Sequence, residues 1–176
     1  MEQIKSFNCC FTGHRSTLLP SQGLENAAGM RALKARLEKA VDDAVSLGAG
    51  CFYAGGAEGF DTLAAETVLK KKSTYPFLRL CLALPEETPP AYWSTAQKRR
   101  YERILALADE IYVSPAGNPF PNARYHHRNR YMVDHADLVI AYLVSHSGGT
   151  YATVTYALER GRAVWNLAAD TAISPI

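Results

Sequence analysis

The chain has 176 residues, 48% of them hydrophobic, and its 19 basic and 17 acidic side chains leave a formal charge of +2. That length predicts a single domain over 1–176 with a core of its own. So small a charge gives no argument for nucleic acid as a partner, and no apolar run approaches the roughly 20 residues of a membrane span. The N-terminal MEQIKSFN lacks the apolar centre of a signal peptide, so a cytoplasmic protein is expected. Cys9, Cys10, Cys51 and Cys81 all lie in apolar, strand-like runs and read as buried free thiols. No pair has CxxC spacing, which argues against a zinc site or a redox dithiol.

Phe7 to Thr12 (FNCCFT) is a continuous apolar run, the pattern of a strand buried on both faces. Gly13, His14 and Arg15 follow it. A glycine and a cation directly after a central strand mark the ligand crevice of a parallel sheet, where the Arg15 fork would grip a phosphate or carboxylate. Ser16 to Ala28 reads as irregular. Arg31 to Leu47 predicts an amphipathic helix with Leu33, Leu37, Ala40, Val41 and Ala44 inward, stopped by Gly48. Cys51 to Ala54 is a second strand. It runs into Gly55, Gly56, Ala57, Glu58 and Gly59, and then a helix from Thr62 to Lys72. The glycine spacing is not that of a dinucleotide fingerprint. Asp61 reads either as a helix cap or as part of a binding wall, and Glu58 as a partner for ribose hydroxyls.

Phe77 to Leu84 predicts a third strand and Tyr92 to Ala108 a helix whose Lys98, Arg99, Arg100 and Arg103 form a solvated charged face. Glu110 to Ser114 is a fourth strand, and the proline-rich 115–122 segment a surface loop or lid near the crevice. Tyr125 to His135 reads as a helix that offers Arg128 and Asn129 to a ligand and Asp134 to a nearby arginine. His126 and His127 point about 100° apart on such a helix and make no metal site, and none is expected elsewhere. Asp137 to Val144 is a fifth, buried strand. Gly148, Gly149 and Thr150 then form a tight turn into a helix, with Thr150 as its cap and Gly161 at its end, before a sixth strand from Ala163 to Leu167. The tail from Ala168 carries no pattern.

About six strands alternating with helices predict an α/β domain: a mostly parallel sheet with helices on both faces. Glycine-rich turns follow the first, second and fifth strands, so all three meet at the sheet's C-terminal edge. The free N–H groups and positive dipole end at Gly148, Gly149 and Thr150 suit a phosphate. The predicted ligand is therefore a nucleotide or a nucleotide-derived molecule, with no further cofactor assigned.

Four strings together, CCFTGHR (Cys9–Arg15), GGAEGFD (Gly55–Asp61), RNRYMVD (Arg128–Asp134) and SGGTYATVTYALERGR (Ser147–Arg162), resemble the YpsA-like branch of the SLOG superfamily. That superfamily also holds DNA-processing protein A and the Lonely guy phosphoribohydrolases. The resemblance implies a Rossmann-like sheet that binds nucleotides or nucleotide-derived ligands, implies no established reaction for this branch, and is compatible with a homo-oligomer. The expected role is that of a sensor or regulator of such a ligand, for example one of ADP-ribose type. Lonely guy enzymes carry P-G-G-x-G-T-x-x-E; here Thr153, Val154 and Thr155 stand where the glutamate would fall. N-glycosidic cleavage by that route is therefore not expected, and Glu58 is the one candidate for a catalytic acid should the protein be a nucleotide-processing hydrolase. Single-stranded nucleic acid is a further, less favoured ligand.

Overall fold

The computed structural model describes residues 6–117, 119–120 and 122–168, and the backbone of 171–173. Its elements in order are β1 (Phe7–Gly13), α1 (Ala28–Ser46), β2 (Ala49–Ala54), α2 (Phe60–Lys71), β3 (Arg79–Leu84), α3 (Thr95–Leu107), β4 (Glu110–Val113), α4 (Ala123–Asp134), β5 (Leu138–Tyr142), α5 (Gly148–Glu159), β6 (Ala163–Asn166) and β7 (Thr171–Ile173). Two short 3-10 turns, Ser16–Leu18 and Pro20–Gly23, occupy the segment that reads as irregular.

The strands form one sheet in the order β4-β3-β2-β1-β5-β6-β7. The first six are mutually parallel, with Cys9 opposite both Phe52 and Leu138. β7 is an antiparallel edge strand that pairs Trp165 with Ala172. It falls in the tail for which the sequence offers no pattern. The apolar runs are what build this sheet. Phe11, Phe52, Ala54, Leu80, Leu82 and Ile140 face one core, with α1, α2 and α3 against them. Cys10, Tyr53, Cys81, Ala83, Val139 and Ala141 face the other, covered by Met132 and Val133 of α4 and Val154 and Ala157 of α5. Both faces are thus covered by helices, as a parallel sheet requires.

Two caps differ from expectation. α2 starts at Phe60 rather than Thr62, because Gly59 takes φ +91 and the Phe60 N–H donates to the His14 carbonyl at 3.1 Å. Asp61 therefore sits inside the first turn, buried, and does not cap the helix. α5 starts at Gly148 (φ +88), with Ser147 and not Thr150 as its cap residue. Thr150 lies in the first turn with its side chain buried. α3 begins after Ser94, where Ser94 Oγ accepts from the Gln97 N–H at 3.2 Å and Gln97 Oε1 accepts from the Ser94 N–H at 2.8 Å.

Candidate ligand-binding site

Because β1, β2 and β5 are parallel, the turns after them share one edge of the sheet. The strand order reverses between β1 and β5: β2, β3 and β4 lie on one side of β1, and β5 and β6 on the other. Crevices form at such a reversal. A cleft of about 330 Å³ opens there, lined by Thr12, Gly13, His14, Arg15, Asp61, Tyr125, Arg128, Asn129, Gly149 and Thr150 among others. A second cleft of about 390 Å³ lies beside it over the ends of β2 and β3. Gly55, Gly56, Tyr92, Trp93, Tyr101 and Pro85, Pro89 and Pro90 line it. Arg15, Ala57, Tyr125 and Arg128 belong to both walls and form the divide.

The glycines of this edge fall into two groups. A Cβ on Gly13 would enter the Phe60 ring, and one on Gly59 would come within 2.7 Å of the Arg15 Cα. A Cβ on Gly55 would meet Arg128 Nη1 and lie 2.7 Å from Asp61 Oδ2, and Gly56 (φ +71) closes on Leu84. These residues are glycine because the chain packs against itself. Gly149 is different. Its φ is ordinary, it lies in a helix, and a Cβ there would meet nothing within 4 Å. It lines the cleft at the start of α5, where the Ser147 side chain makes no capping hydrogen bond. The first N–H groups of a helix have no partner within it.

Arg128 is 5% exposed, and its Nη1 donates to the Gly55 carbonyl and, at 3.5 Å, to that of Ala83. Its Nε donates to Asn129 Oδ1 at 2.7 Å, which orients the amide at the rim. Burial pushes the Asp61 carboxyl upward, and the Arg128 guanidinium works against that shift. Arg15 is exposed and lines both clefts, its Nη1 donating to the Tyr92 hydroxyl at 3.3 Å. His14 is buried, and its Nε2 accepts the Val144 N–H at 3.1 Å, which fixes the loop after β5. Burial holds this imidazole below its ordinary range, in the neutral form that such an acceptor requires. Asn166 braces the same loop, exchanging hydrogen bonds of 3.0 Å with the Leu143 N–H and carbonyl.

Glu58 lies apart from both clefts. Its carboxylate accepts from the Ser16 N–H at 3.3 Å and from the Ser16 hydroxyl, on the wall of a smaller pocket with Leu19, Met30 and Thr62. Arg100, part of the charged face of α3, is bound to Glu66 and Glu25. Asp134 pairs with Arg160 at 3.3 Å, the kind of partner expected for it. The 115–122 loop includes 118 and 121, which lie outside the described residues, as does the N-terminal 1–5. Among the described residues no group of His, Cys, Asp and Glu side chains is arranged to hold a metal ion, and no helix is long and apolar enough to cross a membrane.

The aromatic cleft has no counterpart in the sequence pattern. Tyr92, Trp93, Tyr101 and Tyr125 come from a loop and two helices, and the proline-rich loop after β3 is the one local signal. Trp93 Nε1 is buried with no hydrogen-bond partner among the described residues.

The family model described as the YspA SLOG family matches residues 9–163, from the middle of β1 to the start of β6. The chain belongs to that family. The SPbeta prophage-derived protein YoqJ of Bacillus subtilis is 32% identical over 131 residues, which cover 68% of this chain and 77% of YoqJ. A UPF0398 protein of Halalkalibacterium halodurans is 29% identical over 119 residues, covering 66% of this chain and 62% of its own. Among solved structures, DNA processing protein A of Streptococcus pneumoniae superposes with a TM-score of 0.60 at 19% identity, over 91% of this chain and 50% of that one. The Helicobacter pylori protein of the same name, which binds single-stranded DNA, gives 0.59 at 17%, over 90% and 63%. This SLOG chain thus spans between half and two thirds of those two proteins and shares their fold.

Proposed function

We propose that this SLOG protein binds a nucleotide or nucleotide-derived ligand and acts through that binding as a sensor or regulator. The observation that carries the reading is the start of α5 at the β1/β5 reversal. Gly149 leaves the backbone open there without any internal packing reason, and Arg15 and Asn129 line the same cleft. Such a helix start, with its unpaired N–H groups and positive dipole end, favours a phosphate. The adjoining aromatic cleft suits the planar base of the same ligand. Glu58 is engaged by Ser16 outside both clefts, which weighs against it as a catalytic acid and so against the hydrolase alternative.

Titration calorimetry with AMP, ADP, ADP-ribose, NAD and ribose 5-phosphate tests the proposal. Dissociation constants in the micromolar range are expected for at least one base-bearing phosphate, weakened tenfold or more in Arg15→Ala. No heat from any of the five contradicts it. A single-stranded nucleic acid is the second reading, favoured by the Helicobacter pylori relative in fold and by arginines beside aromatic rings, Arg15 with Tyr92 and Arg128 with Tyr125. It predicts an oligonucleotide affinity that falls steeply with salt.

A further inference from the structure

The sequence offers no local cysteine pair, yet the sheet builds one. Cys51 of β2 and Cys81 of β3 lie 30 residues apart in the chain, and their sulfurs lie 2.9 Å apart in space. Register explains this. Cys51 is opposite Arg79 and Tyr53 opposite Cys81, so the two cysteines are diagonal neighbours whose side chains share the face covered by α4. A disulfide has an S–S distance of about 2.05 Å and a Cα···Cα span of about 4.4–6.8 Å, so closing the pair asks for rotation of both side chains and a local approach of β2 and β3. Cys9 and Cys10 are adjacent in β1 and point into opposite cores, so they cannot pair with each other; Cys10 shares the face of Cys51 and Cys81 and is fully buried there.

We propose that Cys51 and Cys81 form a reversible intramolecular disulfide by exchange with a low-molecular-weight disulfide, with Cys51 as the attacking thiol and Cys81 as the resolving one. The two sulfurs differ in the way this requires. Cys51 is partly exposed and Cys81 is 2% exposed. The hydrogen bond from Cys81 also holds the Cys51 thiol below its ordinary range. The Cys51 thiolate attacks one sulfur of the external disulfide, whose S–S bond breaks and releases one small thiolate. The Cys81 thiol, whose Sγ lies 3.6 Å from Glu110 Oε2, then attacks Cys51 Sγ, and its proton goes to the departing second small thiolate. The mixed disulfide breaks and the second small thiolate leaves. Two electrons pass from the protein to the oxidant, which ends as two thiols once protonated. The new bond ties β2 to β3 just upstream of Gly55 and Ala83, whose carbonyls hold Arg128. The chemistry does not depend on the ligand reading.

The test is to equilibrate the full chain in reduced and oxidised glutathione at graded ratios, quench with an alkylating agent, and map the peptides by mass spectrometry. The expected product links Cys51 to Cys81, while Cys9 and Cys10 are alkylated after denaturation. Cys81→Ser stops at a glutathione adduct on Cys51, and Cys51→Ser leaves Cys81 a thiol. Reduced melting curves of both variants, with alanine in place of serine where serine unfolds the chain, check that they are folded. Wild-type protein that keeps both thiols alkylatable at ratios that oxidise a reference dithiol overturns the proposal. So does wild-type protein that accumulates the glutathione adduct with Cys81 free.

Discussion

Gly149→Ala separates a residue kept for the chain from a residue kept for a ligand. A Cβ at this position meets no heavy atom within 4 Å, and the backbone is helical with an ordinary φ. Glycine inside a helix costs roughly 0.5–1 kcal/mol relative to alanine, because its backbone loses more freedom on folding. The variant is therefore expected to be more stable, by about 0.5–1 kcal/mol in urea unfolding, or roughly 1–4 °C in midpoint for a chain of this size. It is also expected to lose phosphate affinity, since the added methyl faces the cleft mouth. Gly55→Ala is the control: its Cβ would displace Arg128 Nη1 and lie 2.7 Å from Asp61 Oδ2, so that variant loses stability. A Gly149→Ala protein that is less stable by about 1 kcal/mol or more would show instead that the glycine serves the fold.

Three further outcomes follow from the same geometry. Arg128→Met leaves Asp61 buried without its compensating charge and two carbonyls without their donor, and should cost about 3–5 kcal/mol; Asp61→Asn in the same chain should recover part of that loss, which a double-mutant cycle in urea reads. Burial lowers the folded pKa of His14 below 6.5, so its share of the stability is full above 6.5 and is lost as pH falls from there through the lower folded value. Unfolding free energy should therefore drop as pH falls below about 6.5 and drop less in His14→Phe. Ser94→Ala removes the capping box of α3 and should cost about 1 kcal/mol in the same assay.

The sheet was legible because strands buried on both faces read as unbroken apolar runs, as FNCCFT and LVIAY do. β7 was not, since a three-residue antiparallel edge strand carries no such run. The site was legible in its backbone: the turns after β1, β2 and β5 converge as their glycines predict. Its side chains were less so. Glu58, beside a glycine turn, reads as a ribose partner, but a serine on the neighbouring loop takes its carboxylate. Asp61 reads as a cap or as part of a binding wall; the positive φ of Gly59 starts the helix earlier, and Asp61 lines the cleft with Arg128 instead of capping. The cysteine pair escapes any spacing rule, because pairing across parallel strands joins residues a whole crossover apart.

The proposed phosphate position at the start of α5 is read most directly from the amide spectrum of isotope-labelled protein titrated with ADP-ribose or another ligand found by calorimetry. The largest shifts are expected at the N–H groups of Gly148, Gly149 and Thr150, with smaller ones at Arg15 and Trp93. Saturable binding that leaves those three amides unmoved and shifts the α3 face around Arg99 and Arg103 instead would contradict that position.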